Sequence, residues 1–204
     1  LEHRMFRSGE GEMFRWLQRS GRDMSDCGMG SPVEHLQKCG SLGPNVLAVH
    51  ANYLDRSDVL ILARSGAHVV HCPRSHAYFR HDSFPLRRLQ RAGINVCLGT
   101  DSLASVYRSR RQTVELNLFD EMRALAARES WLSPRAVLRM ATINGARALG
   151  LGGRVGQISA GAYADLIALP YRSGTRNVWD AVLHHSGPVF ASLIDGQWAI
   201  PVAL

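Results

Sequence analysis

Lysine is all but missing from these 204 residues: Lys38 is the only one, and arginine supplies the other cations behind a formal net charge of +7. The arginines are scattered over amphipathic segments among Asp and Glu, whereas a nucleic-acid-binding module clusters its cations to displace phosphate counterions. That pattern argues against nucleic acid as a partner, with the dense run Arg108-Ser-Arg-Arg111 left as the one stretch suited to an anion. Cysteine is sparse as well. Cys27, Cys39, Cys72 and Cys97 form no Cys-x-x-Cys pair and no disulfide framework, which points to a reducing, cytoplasmic compartment. Cys72 and Cys97 lie in apolar runs and read as small hydrophobes. No apolar run approaches the roughly 18 residues of a membrane-spanning helix, Val59 to Ala63 being among the longest, and no secretory leader is visible. Leu1 runs straight into a charged amphipathic stretch, so the sequence reads as a piece of a longer polypeptide.

What is present is a globular composition, 46% hydrophobic and 20% charged. Leu1 to Gln18 has the spacing of one or two amphipathic helices, Ser20 to Pro32 that of a loop, and Val33 to Cys39 that of a short helix stopped by Gly40. Then a repeated grammar begins. Asn45-Val-Leu-Ala-Val-His50, His68-Val-Val-His-Cys72 and Asn95-Val-Cys-Leu-Gly99 are short apolar runs without polar alternation, the pattern of parallel strands buried on both faces. Between them, Asp55 to Arg64 and Leu86 to Ala92 pattern as helices ended by Gly66 and Gly93. The order β-α-β-α-β predicts an α/β barrel or a doubly wound sheet. Helices are expected at Thr113 to Arg128 and at Pro134 to Leu149, the latter capped by Ser133. After Gly150 the glycines multiply, and short strands at Asp165 to Leu169, Val189 to Ile194 and Gln197 to Ile200 are expected, the last two joined by Asp195-Gly196. A domain boundary is placed near Arg154, dividing 1–154 from 155–204.

Each apolar run leads into a residue able to do chemistry. His50 closes the first, His71 to His76 come after the second, and Thr100-Asp101-Ser102 comes after the third. In parallel α/β folds the carboxyl ends of the strands share one face, where sites are built. A histidine after a strand is often a hydrogen-bonded core residue, and an aspartate after Leu-Gly-Thr can merely cap the next segment. Together on one rim, His50 and Asp101 make a pair suited to metal-assisted hydrolysis: a carboxylate to bind a cation and take a proton, and an imidazole to steady the attacked group. His71 is left open between packing and pocket. His76, read as lying in the loop after the second run, and Ser102 are candidate substrate-binding residues.

Five motifs in order carry a family resemblance: Leu47-Ala-Val-His50, His71-Cys-Pro-Arg-Ser75, Ala92-Gly-Ile-Asn-Val-Cys-Leu-Gly-Thr-Asp101-Ser-Leu-Ala-Ser105, Met140-Ala-Thr-Ile-Asn-Gly-Ala-Arg-Ala-Leu149 and Gly156-Gln-Ile-Ser-Ala-Gly161-Ala-Tyr-Ala-Asp-Leu-Ile167. The set resembles the amidohydrolase superfamily, in its deaminase and chlorohydrolase branch, over most of the chain from about residue 40 onward. The resemblance implies the carboxyl-terminal part of a (β/α)8 barrel followed by part of a small β-sandwich. It implies one zinc or iron ion, a small-molecule substrate and a homodimer when full length. His50 matches a histidine that polarises substrate and water. Asp101 matches a metal ligand that also shuttles a proton, and the outcome implied is replacement of an exocyclic amine by oxygen on a purine, pyrimidine, triazine or nucleoside-like ring.

Two departures bear on this. The family's His-x-His pair and His-x-x-Glu element occur nowhere in the sequence, and His76 stands where asparagine is common. Three barrel strands cannot close a barrel, so the chain alone is expected neither to hold the metal tightly nor to turn over substrate. Chloride or a cyclic amide nitrogen as leaving group, and a noncatalytic nucleic-acid-binding or scaffold role, are the alternatives.

Overall fold

The computed structural model describes residues 1–107, 114–171 and 177–201. The basic run Arg108 to Arg111 and the predicted helix start at Thr113 lie outside the described residues. The amino-terminal stretch forms α1 (Glu2–Ser8) and α2 (Glu12–Arg19), followed by a loop and α3 (Pro32–Lys38). Ser31 opens α3 with a reciprocal capping box to Glu34, and the buried Ser31 hydroxyl also bonds Asp58. Next come β1 (Leu47–Val49), α4 (Arg56–Ser65), β2 (His68–His71), α5 (Pro73–Tyr78), α6 (Leu86–Arg91) and β3 (Val96–Leu98). The three strands form one parallel sheet in the order β1-β2-β3, with Ala48 opposite Val69 and Val70 opposite Cys97. This is the predicted β-α-β-α-β order, and the chain is α/β in class.

Helix α7 (Leu118–Arg128) starts at Asn117, whose side chain accepts from the backbone of Phe119 and Asp120. The single helix expected over Pro134 to Leu149 is instead two, α8 (Pro134–Ala141) and α9 (Ile143–Ala148), broken at Thr142. The Thr142 hydroxyl donates back to the Leu138 carbonyl, a bond that competes with the helix ladder. Asn95 and Asn144 then tie α9 to β3: the Asn144 amide donates to the Val96 carbonyl at 2.8 Å, and the Asn95 amide to the Asn144 carbonyl at 2.9 Å. A second, antiparallel sheet is built from β4 (Leu166–Ala168), β5 (Ala191–Ile194) and β6 (Gln197–Ile200), with α10 (Val178–Leu183) inserted after β4.

Leu62, Leu86, Leu89, Val69, Val96, Leu125, Val137 and Met140 form a core between the parallel sheet and α4, α6, α7 and α8. Burial on both faces holds for β3 but not for β1, where Leu47 and Val49 are exposed, Val49 by 51%. The register explains this correction. Ala48 aligns with the fully buried Val69 and turns toward the helices, so Leu47 and Val49 point to the opposite face, at the edge of the sheet.

Gly99, just past β3, donates its N–H to the His71 carbonyl at 2.9 Å. A Cβ there would stand 2.8 Å from Val70 Cγ1 and 3.2 Å from Cys72 Sγ. Gly99→Ala is therefore expected to cost about 1–3 kcal/mol by overpacking, read from the urea midpoint; an unchanged midpoint would refute the close approach.

Candidate functional site

The ends of β1 and β3 set two side chains face to face. His50 leaves β1 with its N–H donated to the Val70 carbonyl at 2.9 Å, and its backbone is left-handed at φ 70°. Asp101, two residues beyond Gly99, is left-handed at φ 55°. Non-glycine residues held in this region are uncommon and collect at functional sites. The two strand ends bring His50 Nε2 within 3.9 Å of Asp101 Oδ2, with both side chains partly open to solvent.

Asp101 is further held from behind. The Ser75 hydroxyl, fully buried on α5, donates to Asp101 Oδ2 at 2.5 Å, and the Ser105 hydroxyl donates to the same oxygen at 2.9 Å. The Ser75 bond is the largest influence on the carboxyl group and keeps it below the ordinary aspartate range; partial burial works against this. Asp101 is thus an ionised carboxylate across the neutral range. Sequence reasoning misses Ser75 and Ser105 as site residues, although both lie inside the family motifs, four residues beyond His71 and Asp101 respectively. Ser102 is exposed and opens the short 3-10 turn Leu103–Ser105, its N–H donated to Ser105 Oγ at 3.3 Å.

His76 is on helix α5, not in a loop, because Pro73 starts a helical turn directly after Cys72. Its ring is buried and lines a cavity of about 210 Å³ with His71, Ser83, Phe84 and Arg128. Neither His50 nor Asp101 lines that cavity. His71 stacks on Phe84, with ring centroids 3.8 Å apart. Burial, reinforced by His76, His50 and Arg128, pushes the His71 pKa down to about 3. The unfolded ring titrates near 6.5, so the unfolded state takes up the proton first. The stability His71 contributes is complete above pH 6.5 and is lost as pH falls from 6.5 toward 3. Urea unfolding across that window should show a steeper decline for the parent chain than for His71→Leu; parallel curves would refute it.

Other titratable groups are structural. Burial pushes the Cys72 thiol up to about 12, and burial also raises Cys97, so both are inert hydrophobes. Glu121, fully buried on α7, is pushed up to about 7 by burial against the Arg74 N–H that it accepts at 2.9 Å. Arg74 also reaches the Glu115 carbonyl and Asp120, fastening the start of α5 to α7. A larger cavity, about 670 Å³, lies between α8, α10 and β4, lined chiefly by apolar side chains such as Leu138, Ile167, Trp179 and Val182, and neither His50 nor Asp101 lines it. It is the bigger space, but its lining lacks the imidazole–carboxylate pair of the strand-end mouth.

Among the described residues no group of three or more His, Cys, Asp or Glu is arranged to hold a metal ion. Asp101 has the chemistry of one ligand to a borderline cation; the described residues do not supply the others.

Parallel strands with an imidazole and a carboxylate at their carboxyl ends define a class, the α/β proteins whose sites sit at that rim. Within it, the amidohydrolase family model matches residues 23–192, and the chain belongs to that family. It is 41% identical over 170 residues to a 5-methylthioadenosine/S-adenosylhomocysteine deaminase of Syntrophobacter fumaroxidans, covering 80% of this chain and 35% of that protein. It is 38% identical over 168 residues to a 5'-deoxyadenosine deaminase of Methanoregula boonei, covering 77% and 36%. Among solved structures, an adenosine deaminase from Xanthomonas campestris with bound zinc shares 30% identity at a TM-score of 0.75, over 84% of this chain and 40% of that one. An atrazine chlorohydrolase from Arthrobacter aurescens complexed with zinc shares 25% at 0.71, over 84% and 39%. The chain thus spans about a third of the length of these curated relatives. No helix among the described residues is long and apolar enough to cross a membrane.

Proposed function

We propose that the chain is the carboxyl-terminal portion of a zinc-dependent aminohydrolase that replaces the exocyclic amine of an adenosine-like nucleoside by oxygen. The observation that carries this reading is the 3.9 Å approach of His50 to Asp101 at the strand ends, in a chain 41% identical to a deaminase of 5-methylthioadenosine and S-adenosylhomocysteine. Residues 1–154 are read as the last three strands of a (β/α)8 barrel and their helices, and 155–204 as part of a β-sandwich. The exposed Val49 face of β1 and the exposed face of β4 and β6 fit an assembly in which further strands cover them. The four free thiols fit a cytoplasmic setting.

Asp101 would hold the ion together with ligands from outside these residues. Zinc, when bound, supplies a Lewis acid that makes water nucleophilic near neutral pH. The chain's own part is proton handling and orientation. Asp101, kept ionised by Ser75 and Ser105, is ready to accept a proton from the attacking water and to pass it to the leaving amine. His50 Nε2 faces the same mouth and can hydrogen-bond the group on which charge develops. Zinc is preferred to iron because the Xanthomonas campestris and Arthrobacter aurescens structures carry zinc. Chloride as leaving group is the second reading, supported by the atrazine chlorohydrolase at 25% identity.

A chimera tests the proposal: residues 1–204 joined to the preceding part of the Syntrophobacter fumaroxidans relative, loaded with zinc and supplied with 5-methylthioadenosine. Ammonia release is expected. A folded, zinc-loaded chimera that releases chloride from a chlorotriazine but no ammonia from adenosine-type nucleosides would overturn it.

A further inference from the structure

The 210 Å³ cavity beside β2 is lined by residues with polar groups that no contact among the described residues satisfies. His71 Nδ1 and His76 Nε2 are both fully buried and have no hydrogen-bond partner, and each residue is only 3% exposed. A buried polar atom left unpaired costs on the order of 1–3 kcal/mol, and here both residues that carry one line the same space. Arg128 lines the same space and, among the described residues, has neither an ion pair nor a hydrogen bond. Among the described residues Glu129 is the one carboxylate lining the cavity, and it accepts from Trp131 Nε1 at 2.5 Å. Ser83 adds a hydroxyl.

We infer that this cavity is a binding site for a singly protonated phosphate, free or as the end of a small phosphate monoester. The charge comes from Arg128, a guanidinium with no ion pair among the described residues and a geometry suited to phosphate oxygens. The protonation state comes from His76. Burial holds the His76 pKa below the ordinary histidine range, so the ring is neutral and carries one N–H and one lone pair, and Nε2 is a buried nitrogen left without a partner. In its Nδ1–H tautomer that ring presents its lone pair at Nε2. Nε2 therefore accepts from a P–OH group, while the remaining oxygens accept from Arg128, from the Ser83 hydroxyl and from His71 in its Nδ1–H tautomer. A simple carboxylate has the charge but no hydroxyl to offer His76. Phe84, stacked on His71 at an interplanar angle of 8°, fixes the plane of that donor.

The test uses the 204-residue chain labelled with 15N, with the ring nitrogens of His71 and His76 monitored by long-range 1H–15N spectra. Inorganic phosphate, methyl phosphate, acetate and chloride are titrated separately at constant ionic strength. Saturable movement of both rings is expected with phosphate and not with acetate or chloride. Equal binding of methyl phosphate would identify a monoester as the source, and binding of inorganic phosphate alone would identify the free ion. Arg128→Ala and Arg128→Gln alter an exposed side chain and should weaken binding about tenfold or more, the loss of a hydrogen bond to a charged group. An unmoved spectrum would mean ordered water only and would overturn the inference. Equal response to acetate, or unchanged affinity in both Arg128 variants, would do the same.

Discussion

Asp101→Asn, introduced into the zinc-loaded chimera, is expected to lower kcat/KM for ammonia release about 10,000-fold, the upper end of what a positioned acid–base group contributes. Two losses combine. The amide is isosteric but uncharged, so it is a poorer ligand for a cation and cannot take a proton from water. It also disrupts its supports: Ser75 and Ser105 both donate to Asp101 Oδ2, and an amide nitrogen in that position would oppose two hydroxyl hydrogens. Folding should survive, because Asp101 is at the partly exposed rim and not in the core. Zinc content measured beside kcat/KM separates the two losses. Full zinc with a large drop in rate assigns the proton role, and lost zinc assigns ligation as well. A variant within tenfold of the parent, carrying full zinc, would remove Asp101 from the chemistry.

The sheet that presents Asp101 is legible in the sequence because its physics is local. Val96, Cys97 and Leu98 form an apolar run ended by glycine, and Gly66 and Gly93 stop the preceding helices in the left-handed conformation that favours glycine. The convergence of His50 and Asp101 is legible at one remove, since parallel strands present their carboxyl ends together. What escapes the sequence depends on neighbours distant along the chain. Helix α5 is six residues long, too short to show a periodicity, and its start is fastened by Glu121, 47 residues from Arg74. The break at Thr142 lies in a stretch whose apolar spacing continues across it, and it becomes visible only when Asn144 is seen anchored to β3. Val49 has the composition of a buried strand residue, but its exposure is fixed by what lies beside β1, which its own residues do not encode. Ser75 is the most instructive omission. A serine in a Pro-Arg-Ser turn has many bland explanations, and only the fold shows its hydroxyl meeting a carboxylate 26 residues later.

His50→Asn tests the other half of the pair and should separate from Asp101→Asn in kind. Its Nε2 stands 3.9 Å from Asp101 Oδ2, too far for a direct hydrogen bond, so the imidazole does not hold the carboxylate in place. Ser75 and Ser105 do that, and they are untouched by the substitution. Asparagine keeps a donor but on a shorter side chain, so it does not reach the position where charge develops. The expected result in the chimera is a fall in kcat of about 100- to 1,000-fold, the size of effect seen when one preorganised donor is removed from a developing charge. Zinc content should be retained and KM changed far less than kcat. The left-handed backbone at position 50 is tolerated by asparagine, so the loss cannot be charged to refolding of the strand end. A His50→Asn chimera whose defect lies in KM alone would recast His50 as a binding residue, and one with unaltered kcat and KM would break the proposed pairing of these two strand ends.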